Sequence, residues 1–212
     1  MKNIIFDMDG VLMDSLHAAN EAFVKMKYRG NTREEVIAAH LHYCTNKPWH
    51  SKDSVFTQER YFEILERLEE LYTITSKDPS YTPFQEFVDE IRKIESANLA
   101  IVSSNNKKSL LHFLSLTDIK FSHALCFEDH TSKEVKIERI LNDWGVNKND
   151  FYYVTDTLAD IYELETFMPK EHIIGVAWGY CGYDLLAREL PTNQILREFK
   201  EIHSVINKNK SL

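Results

Sequence analysis

The sequence has few of the residues that would place it in an oxidising compartment or in a membrane. Only three cysteines occur in 212 residues, and Cys44, Cys126 and Cys181 lie far apart without any C-x-x-C pair. This argues against a disulfide framework and against a zinc knuckle. The acidic residues Asp7 and Asp9 interrupt the first apolar run before it reaches the length of a signal peptide or a membrane span. We therefore expect a cytoplasmic protein that does not associate with a membrane.

An excess of positive charge is also missing. The formal net charge is −8, and the acidic residues are spread along the chain. Such a surface would be repelled by nucleic acids and by anionic membranes. With 43% hydrophobic residues the chain can bury a full core. We therefore expect a globular protein that binds no nucleic acid and acts on small molecules.

Short apolar runs alternate with amphipathic stretches over much of the chain. Residues 3–6 form a β-branched and aromatic run that ends at Asp7, with Gly10 supporting a tight turn. Further apolar runs cover residues 99–102, 151–154 and 173–178. Amphipathic stretches typical of helices cover residues 84–95, 108–116, 133–144 and 161–167. This alternation predicts an α/β fold with a doubly wound parallel sheet that has helices on both faces.

Residues 16–82 break this alternation, because residues 16–28, 33–43 and 60–71 all have helical patterns without an intervening strand. We predict an inserted helical cap at residues 16–82, with the α/β core formed by residues 1–15 and 83–212. Four side chains in this insertion would suit a metal, namely His40, His42, Cys44 and His50. Their helical spacing puts His40 and His42 on different faces, so we expect packing or surface roles.

Acidic and polar side chains follow several of the predicted strands. Asp7 and Asp9 follow the first strand, Ser103 follows the run 99–102, and Asp156 and Asp160 follow the run 151–154. Ligands bind outside the carboxyl ends of such strands, so these side chains are expected at one site. Several carboxylates at one place need a cation to stay ionised together, and Mg²⁺ suits oxygen ligands and phosphate.

This set of residues fits phosphoryl transfer. One carboxylate can attack phosphorus to give an acyl phosphate, and the neighbouring acid can protonate the leaving oxygen and later activate water. Ser103 and a nearby lysine would offset the charge on the phosphoryl oxygens. Taken alone, Asp7 and Asp9 would also suit a turn at the end of a strand, and Ser103 would suit a helix N-cap.

Three segments resemble motifs of the haloacid dehalogenase superfamily of hydrolases. FDMDGVLMDS at 6–15 resembles the first motif, LAIVSS at 99–104 the second, and VTDTLADI at 154–161 the fourth. The C-terminal GVAWGYCGYDLLARELPTNQIL resembles the end of phosphoglycolate phosphatase-like members. As a whole, the chain resembles the phosphoglycolate phosphatase and β-phosphoglucomutase-like subfamily. The resemblance implies a Rossmann-like core with a helical cap, Mg²⁺ as cofactor, and a small phosphorylated metabolite as the partner of a monomer or homodimer.

The resemblance also implies roles for single residues. Asp7 would be the nucleophile and a metal ligand, and Asp9 the acid/base that also lends its backbone carbonyl to the metal. Asp156 would be a further metal ligand, and Asp160 would bind the metal directly or through water. The family's third motif supplies a lysine. The residues expected to bind phosphate are Gly10, Ser103, Ser104, Asn105 and Lys133.

Two departures from the family pattern stand out. The usual Lys-Pro pair of the third motif is missing, so either Lys133, the first choice, or Lys136 can supply the lysine. Thr155 occupies a position at which the family commonly has glycine. A β-branched residue there restricts the turn but removes no catalytic group.

The resemblance also ranks the family's reactions. Asp9 favours phosphoryl transfer over dehalogenation, because dehalogenases lack an acid two residues after the nucleophile. The phosphomutases usually carry a histidine at the position of Ala19, and the nearest histidine here is His17. A Mg²⁺-dependent phosphatase is therefore our first prediction. A β-phosphoglucomutase-like phosphomutase and a catalytically idle binding protein of the same fold remain the alternatives.

Overall fold

The computed structural model describes residues 1–48 and 56–207. The described residues form, in chain order, β1 (Lys2–Phe6), β2 (Met13–Asp14), α1 (Leu16–Lys25), α2 (Arg33–Thr45), α3 (Gln58–Thr75), β3 (Thr82–Pro83), α4 (Gln85–Arg92), β4 (Ala97–Val102), α5 (Lys107–Ser115), β5 (His123–Leu125), α6 (Lys133–Trp144), β6 (Tyr152–Thr155), α7 (Leu158–Leu164), β7 (Ile173–Val176), α8 (Gly182–Leu186), β8 (Ile195–Leu196) and α9 (Ile202–Asn207).

Six parallel strands form the central sheet in the order β5-β4-β1-β6-β7-β8. Successive side chains of β1 point to opposite faces, as in any strand. Ile4 and Phe6 pack in the hydrophobic cluster that includes Phe87 of α4. Ile5 packs in a second cluster, which includes Ile137 of α6. Both faces of the sheet are therefore covered by helices, which confirms the predicted doubly wound α/β fold.

The helical insertion leaves the core and returns to it at one place. Met13 and Asp14 of β2 pair antiparallel with Pro83 and Thr82 of β3, so the two connecting segments run side by side. Between them, α1 packs against α2 and α3. A capping box at Thr32 and Glu35 satisfies backbone N–H groups at the start of α2. The insertion thus lies on a two-stranded stem beside the carboxyl end of β1.

The helix bounds differ from the sequence-based predictions mainly at the ends of elements. The helix predicted at 161–167 is α7, which begins three residues earlier because Thr157 caps it by accepting a hydrogen bond from the Asp160 N–H. The short strands β2, β3, β5 and β8 were not predicted, since two or three residues show no periodicity.

Within the described residues, no helix is long and apolar enough to cross a bilayer.

His40 of α2 joins the insertion to the core by packing. Its ring contacts Phe23 of α1 edge to face and Tyr180 of the core, with centroid separations of 4.6 and 5.1 Å. Its Nδ1 lies 2.9 Å from the Asn20 Oδ1. Burial lowers the pKa of His40 to about 4, because a charged imidazole would lose its hydration there. The packing role predicted for His40 agrees with this placement, whereas His50 lies outside the described residues.

The buried His40 predicts a specific loss of stability in acid. Its folded pKa lies below the unfolded value of 6.5, so the unfolded chain takes up a proton first as the pH falls. The free energy of unfolding should therefore fall between about pH 6.5 and pH 4, by on the order of 3 kcal/mol. Urea unfolding at several pH values measures this fall. It should disappear in His40→Phe and remain in His42→Phe, which changes an exposed position of α2. Equal slopes in native protein and His40→Phe would contradict the account.

Candidate active site

Three neighbouring strands deliver polar side chains to the same edge of the sheet. Asp7 follows β1, Ser103 follows β4 and Asp156 follows β6. Hydrogen bonds continue the ladder past the strand ends, since the Asp7 N–H donates to the Val154 carbonyl and the Ser103 N–H donates to the Leu125 carbonyl, both at 2.9 Å. The backbone therefore fixes where each of these side chains begins. The structure thus brings together the residues predicted from three separate motifs.

Lys133 is buried between two carboxylates. Its Nζ lies 2.9 Å from the Asp7 Oδ2 and 2.7 Å from the Asp160 Oδ2, and only 2% of the residue is exposed. Burial favours the neutral amine, but the two carboxylates outweigh burial and raise the pKa of Lys133 well above its ordinary value. The two carboxylates therefore favour the charged form of Lys133 in contact with Asp7.

Asp160 is anchored by three donors on one of its oxygens. Its Oδ2 accepts hydrogen bonds from Lys133 Nζ at 2.7 Å, from Thr155 Oγ1 at 2.7 Å and from the Tyr153 hydroxyl at 3.0 Å. Burial opposes ionisation, but Lys133 and these hydrogen bonds lower the pKa of Asp160 below its usual range. Asp160 is thus a buried carboxylate that fixes Lys133. Its binding to a metal, directly or through water, stays a prediction.

Lys136 is placed differently from Lys133. Its Nζ donates to the backbone carbonyls of Ser103 at 2.6 Å and Cys126 at 3.3 Å, so it joins the carboxyl ends of β4 and β5. Burial, together with the charge of Lys133, lowers the pKa of Lys136 to about 8. Of the two candidate lysines, Lys133 is the one whose Nζ forms an ion pair with Asp7.

Asp9 faces the loop that follows β4. Its Oδ2 accepts a hydrogen bond from the Asn105 Nδ2 at 3.0 Å. The Asn105 N–H donates to the Ser103 Oγ, also at 3.0 Å, which leaves the hydroxyl hydrogen of Ser103 available to another acceptor. Asp9, Ser103, Ser104 and Asn105 all line one cavity. This loop therefore offers several donors to an anion bound beside Asp9.

Asp156 is fully buried against two glycines. Its Oδ2 accepts a hydrogen bond from the Tyr180 N–H at 2.6 Å. A Cβ at Gly10, where φ is +73°, would lie 2.0 Å from that oxygen, and a Cβ at Gly179 would lie 2.3 Å from the Asp156 Cβ. Both positions therefore require glycine for steric reasons. Burial and the nearby Asp7 raise the pKa of Asp156 well above its usual range.

The donor set of this site fits a hard divalent cation. Within residues 1–48 and 56–207, no three His, Cys, Asp or Glu side chains are already arranged around a common metal position. The Asp156 Oδ1 is nevertheless buried without a hydrogen-bond partner in that part of the chain. Burial raises the pKa of the neighbouring Asp7 to about 7, opposed by Lys133. An oxygen-binding cation would satisfy the orphaned oxygen and stabilise both carboxylates in their charged form.

The cavity extends from the sheet edge into the helical insertion. It has a volume of about 190 Å³. At one end it is lined by Asp7, Asp9, Ser103 and Lys133. Its other walls come from the insertion and include Phe23, Met26, Tyr28, Arg29, His40, Ile64, Arg67, Leu68 and Leu71. A small molecule held in this cavity would contact the carboxylates and the insertion at the same time.

Comparison with known proteins identifies the family. The family model described as haloacid dehalogenase-like hydrolase matches residues 4–163, which include Asp7, Ser103, Lys133, Asp156 and Asp160. The chain therefore belongs to the haloacid dehalogenase-like hydrolases. This confirms the family predicted from the sequence motifs, and the matched family is one of hydrolases. No curated protein matches the sequence.

Solved structures show the same fold over the whole chain. A hydrolase from Pseudomonas syringae has a TM-score of 0.71 at 13% identity, with 100% of both chains covered. A protein described as a β-phosphoglucomutase from Bacteroides vulgatus has a TM-score of 0.68 at 18% identity, covering 100% of this chain and 91% of that one. A protein described as a phosphoglycolate phosphatase from Lactobacillus delbrueckii has a TM-score of 0.63 at 18% identity, covering 97% and 98%.

We predict that the hydroxyl of Thr155, at the position where glycine was expected, contributes measurably to the free energy of unfolding. Thr155→Val keeps the shape but removes a donor to the buried Asp160, so the free energy of unfolding should fall by about 1–3 kcal/mol. Thr155→Ser, which keeps the hydroxyl, should regain most of that loss in urea unfolding. If Thr155→Val is as stable as the native protein, the hydrogen bond does not anchor Asp160.

Proposed function

We propose that this protein is a Mg²⁺-dependent phosphatase that hydrolyses a small phosphorylated metabolite through an aspartyl phosphate on Asp7. The observation that carries the proposal is the buried contact of 2.9 Å between Asp7 and Lys133 at the edge of the parallel sheet. Asp9 and Ser103 line the same cavity beside this pair. The proposal thus combines a nucleophile, an acid/base, a hydroxyl donor and a fixed cation at one end of a cavity.

Asp7 is positioned to act as the nucleophile. Its Oδ1 accepts a hydrogen bond from the Met8 N–H at 2.8 Å, and its Oδ2 contacts Lys133. These bonds fix the carboxylate plane while Asp7 borders the cavity. In the first step, a carboxylate oxygen of Asp7 forms a bond to phosphorus as the bond from phosphorus to the leaving oxygen breaks.

Asp9 is the acid/base of both steps. In the first step its carboxylic acid gives a proton to the leaving oxygen, so that the product leaves as an alcohol. In the second step the Asp9 carboxylate takes a proton from water, whose oxygen attacks phosphorus and releases Asp7 and inorganic phosphate. The hydrogen bond from Asn105 supports this role, because it orients the Asp9 carboxyl group within the cavity.

The phosphoryl group is held by donors from two sides. Ser103, Ser104 and Asn105 supply hydroxyl and amide donors from the loop after β4. The missing Cβ of Gly10 makes room for Asp156, and phosphate binding at Gly10 stays a prediction. Lys133 supplies the positive charge, and Asp160, Thr155 and Tyr153 keep it in place. Such preorganised donors act on the charge of the transition state.

Mg²⁺ would be held by the side chains of Asp7 and Asp156 and by the backbone carbonyl of Asp9, with Asp160 bound directly or through water. When bound, the cation supplies electrostatic stabilisation of the phosphoryl oxygens and keeps the carboxylates ionised. The unpartnered Asp156 Oδ1 supports this assignment.

We further propose that residues 16–82 form a cap over a core of residues 1–15 and 83–212, and that the enzyme acts in the cytoplasm.

Phosphatase is preferred over phosphomutase because of one position in the cavity. The phosphomutases usually carry a histidine where this chain has Ala19, and Ala19 lines the cavity. The nearest histidine in sequence, His17, is exposed and is not among the residues that line the cavity. Transfer of the phosphoryl group to water is therefore favoured over its return to a substrate hydroxyl.

The nucleophile assignment predicts loss of turnover when Asp7 loses its charge. Native protein should release inorganic phosphate from para-nitrophenyl phosphate with Mg²⁺ and not with excess chelator. Asp7→Asn should lose at least about 10³-fold in kcat, because the amide is a poor nucleophile. Asp143→Asn, at an exposed position of α6, serves as the matched control and should retain activity. Turnover by Asp7→Asn near the native rate would exclude Asp7 as the nucleophile.

The contrast between the two buried lysines provides a second prediction. Lys133→Met removes the cation beside Asp7, so kcat should fall by about 10²–10³-fold when activity is corrected for the folded fraction. Lys136→Met removes two backbone contacts but leaves Lys133 and its carboxylates in place, so its corrected kcat should fall less than about tenfold. Equal losses in both variants would contradict the assignment of Lys133.

A further inference from the structure

One wall of the cavity is formed by a row of aromatic rings from the insertion and the core. Arg29, Tyr28, Phe23, His40 and Tyr180 all line the cavity, and each contacts the next. The Tyr28 and Phe23 rings are stacked at 4.9 Å, Phe23 meets His40 at 4.6 Å, and His40 meets Tyr180 at 5.1 Å. We name the four rings the aromatic wall. The aromatic wall runs from Tyr180, whose backbone N–H donates to Asp156, to Tyr28 at the end of the cavity that we call distal.

Two arginines converge at that distal end. The guanidinium carbon of Arg29 lies 5.3 Å from the centroid of the Tyr28 ring, and that of Arg67 lies 5.9 Å from the same centroid. They come from different elements, the turn after α1 and helix α3. In the described part of the chain, neither forms an ion pair with a carboxylate, although the net charge of the protein is −8.

The backbone at Arg29 is held in an unfavourable conformation. Its φ is +56°, in the left-handed region that costs a non-glycine residue about 1 kcal/mol or more. The strained turn places the guanidinium beside Tyr28, and a Cβ at the following Gly30 would lie 2.8 Å from the backbone of Val36. The turn is therefore packed tightly against α2, which fixes the backbone at Arg29, although both Arg29 and Arg67 are exposed residues.

Between the carboxylates and the arginines, the cavity offers little to a ligand with many hydroxyl groups. Apolar side chains from α1 and α3 form much of this part, including Met26, Ile64 and Leu68. Among the polar side chains that line the cavity, His40 contacts Asn20 and Ser15 contacts the Tyr180 hydroxyl at 3.0 Å. The buried Tyr81 hydroxyl has no hydrogen-bond partner among the described residues, so the cavity wall offers one hydroxyl rather than a series of polar groups. This middle part therefore suits an apolar or aromatic group better than a sugar.

From these contacts, and on the basis of the proposed function, we propose a class of substrate. It is a phosphomonoester whose leaving group is aromatic or apolar and carries a second anionic group at its far end. The phosphate binds at Asp7 and Lys133, the leaving group packs along the aromatic wall, and Arg29 and Arg67 bind the second anion. Guanidinium groups pair well with either a carboxylate or a phosphate, which makes both acceptable as the second group.

The first test compares substrates that differ in one group. We expect kcat/KM for 4-carboxyphenyl phosphate to exceed that for phenyl phosphate by about tenfold, as two charge-assisted contacts would give. 1,4-Phenylene bisphosphate distinguishes phosphate from carboxylate as the second group. 6-Phosphogluconate carries a carboxylate on a chain of hydroxyls and should be at least about tenfold poorer than 4-carboxyphenyl phosphate.

The variants test whether the arginines cause the preference. Arg29→Gln and Arg67→Gln should each reduce the ratio of kcat/KM for 4-carboxyphenyl phosphate to kcat/KM for phenyl phosphate. Glutamine at position 29 keeps the backbone strain of a non-glycine residue. Arg139→Gln, at an exposed position of α6 outside the cavity, should change nothing. A preference that is absent, or that persists in both cavity variants, would overturn the proposal.

A binding measurement separates this inference from the proposed function. Titration calorimetry with 4-carboxyphenylphosphonate and phenylphosphonate needs no turnover. Native protein should bind the carboxylated ligand about tenfold more tightly than phenylphosphonate. Arg67→Gln should bind the two ligands with similar affinity. This preference without any phosphate release would support the binding site and overturn the phosphatase proposal. Phosphate release without any preference for the carboxylate in turnover or binding would support the phosphatase proposal and overturn the proposed substrate class. If the protein shows neither phosphate release nor this preference, both proposals are overturned.

Discussion

The buried cation of Lys133 is the constraint on which the rest of the site depends. A lysine that is 2% exposed can stay charged only if carboxylates replace its hydration, and Asp7 and Asp160 do so at 2.9 and 2.7 Å. Removing Lys133 would leave two buried carboxylates without the cation that they share. The carboxyl end of β1 and the starts of α6 and α7 must therefore keep a fixed relation, which the parallel sheet supports.

The same constraint explains the surroundings of the pair. Thr155 and Tyr153 donate to the Asp160 Oδ2 beside Lys133, and both Asp160 and Asp7 border the cavity. Burial raises the pKa of Asp156 despite the charge of Lys133, and the Asp156 Oδ1 has no hydrogen-bond partner among the described residues. A hard cation would satisfy this oxygen. In the proposed function, the core would recognise the phosphoryl group, and the insertion would supply the contacts that distinguish one leaving group from another.

Residues of the site that follow a predicted strand could be recognised from the sequence alone. Asp7, Ser103 and Asp156 each follow a run of apolar residues, and parallel strands bring such residues to one edge. Lys133 and Lys136 could not be separated, because their difference lies in tertiary contacts three residues apart on one helix. Thr155 was recognised as a departure from glycine, but its bond to Asp160 depends on the turn geometry. The meeting of Arg29 and Arg67 over Tyr28 joins distant segments, and no local pattern signals it.

The central claim is that Asp7 becomes phosphorylated during turnover. The most direct measurement is mass spectrometry of peptides from protein mixed with para-nitrophenyl phosphate and Mg²⁺ and quenched in acid within the first turnovers. The account predicts one added phosphoryl group on the peptide that contains Asp7, and none on that peptide in Asp7→Asn. Phosphate release with no modified Asp7 peptide, or with the phosphoryl group on another residue, would contradict it.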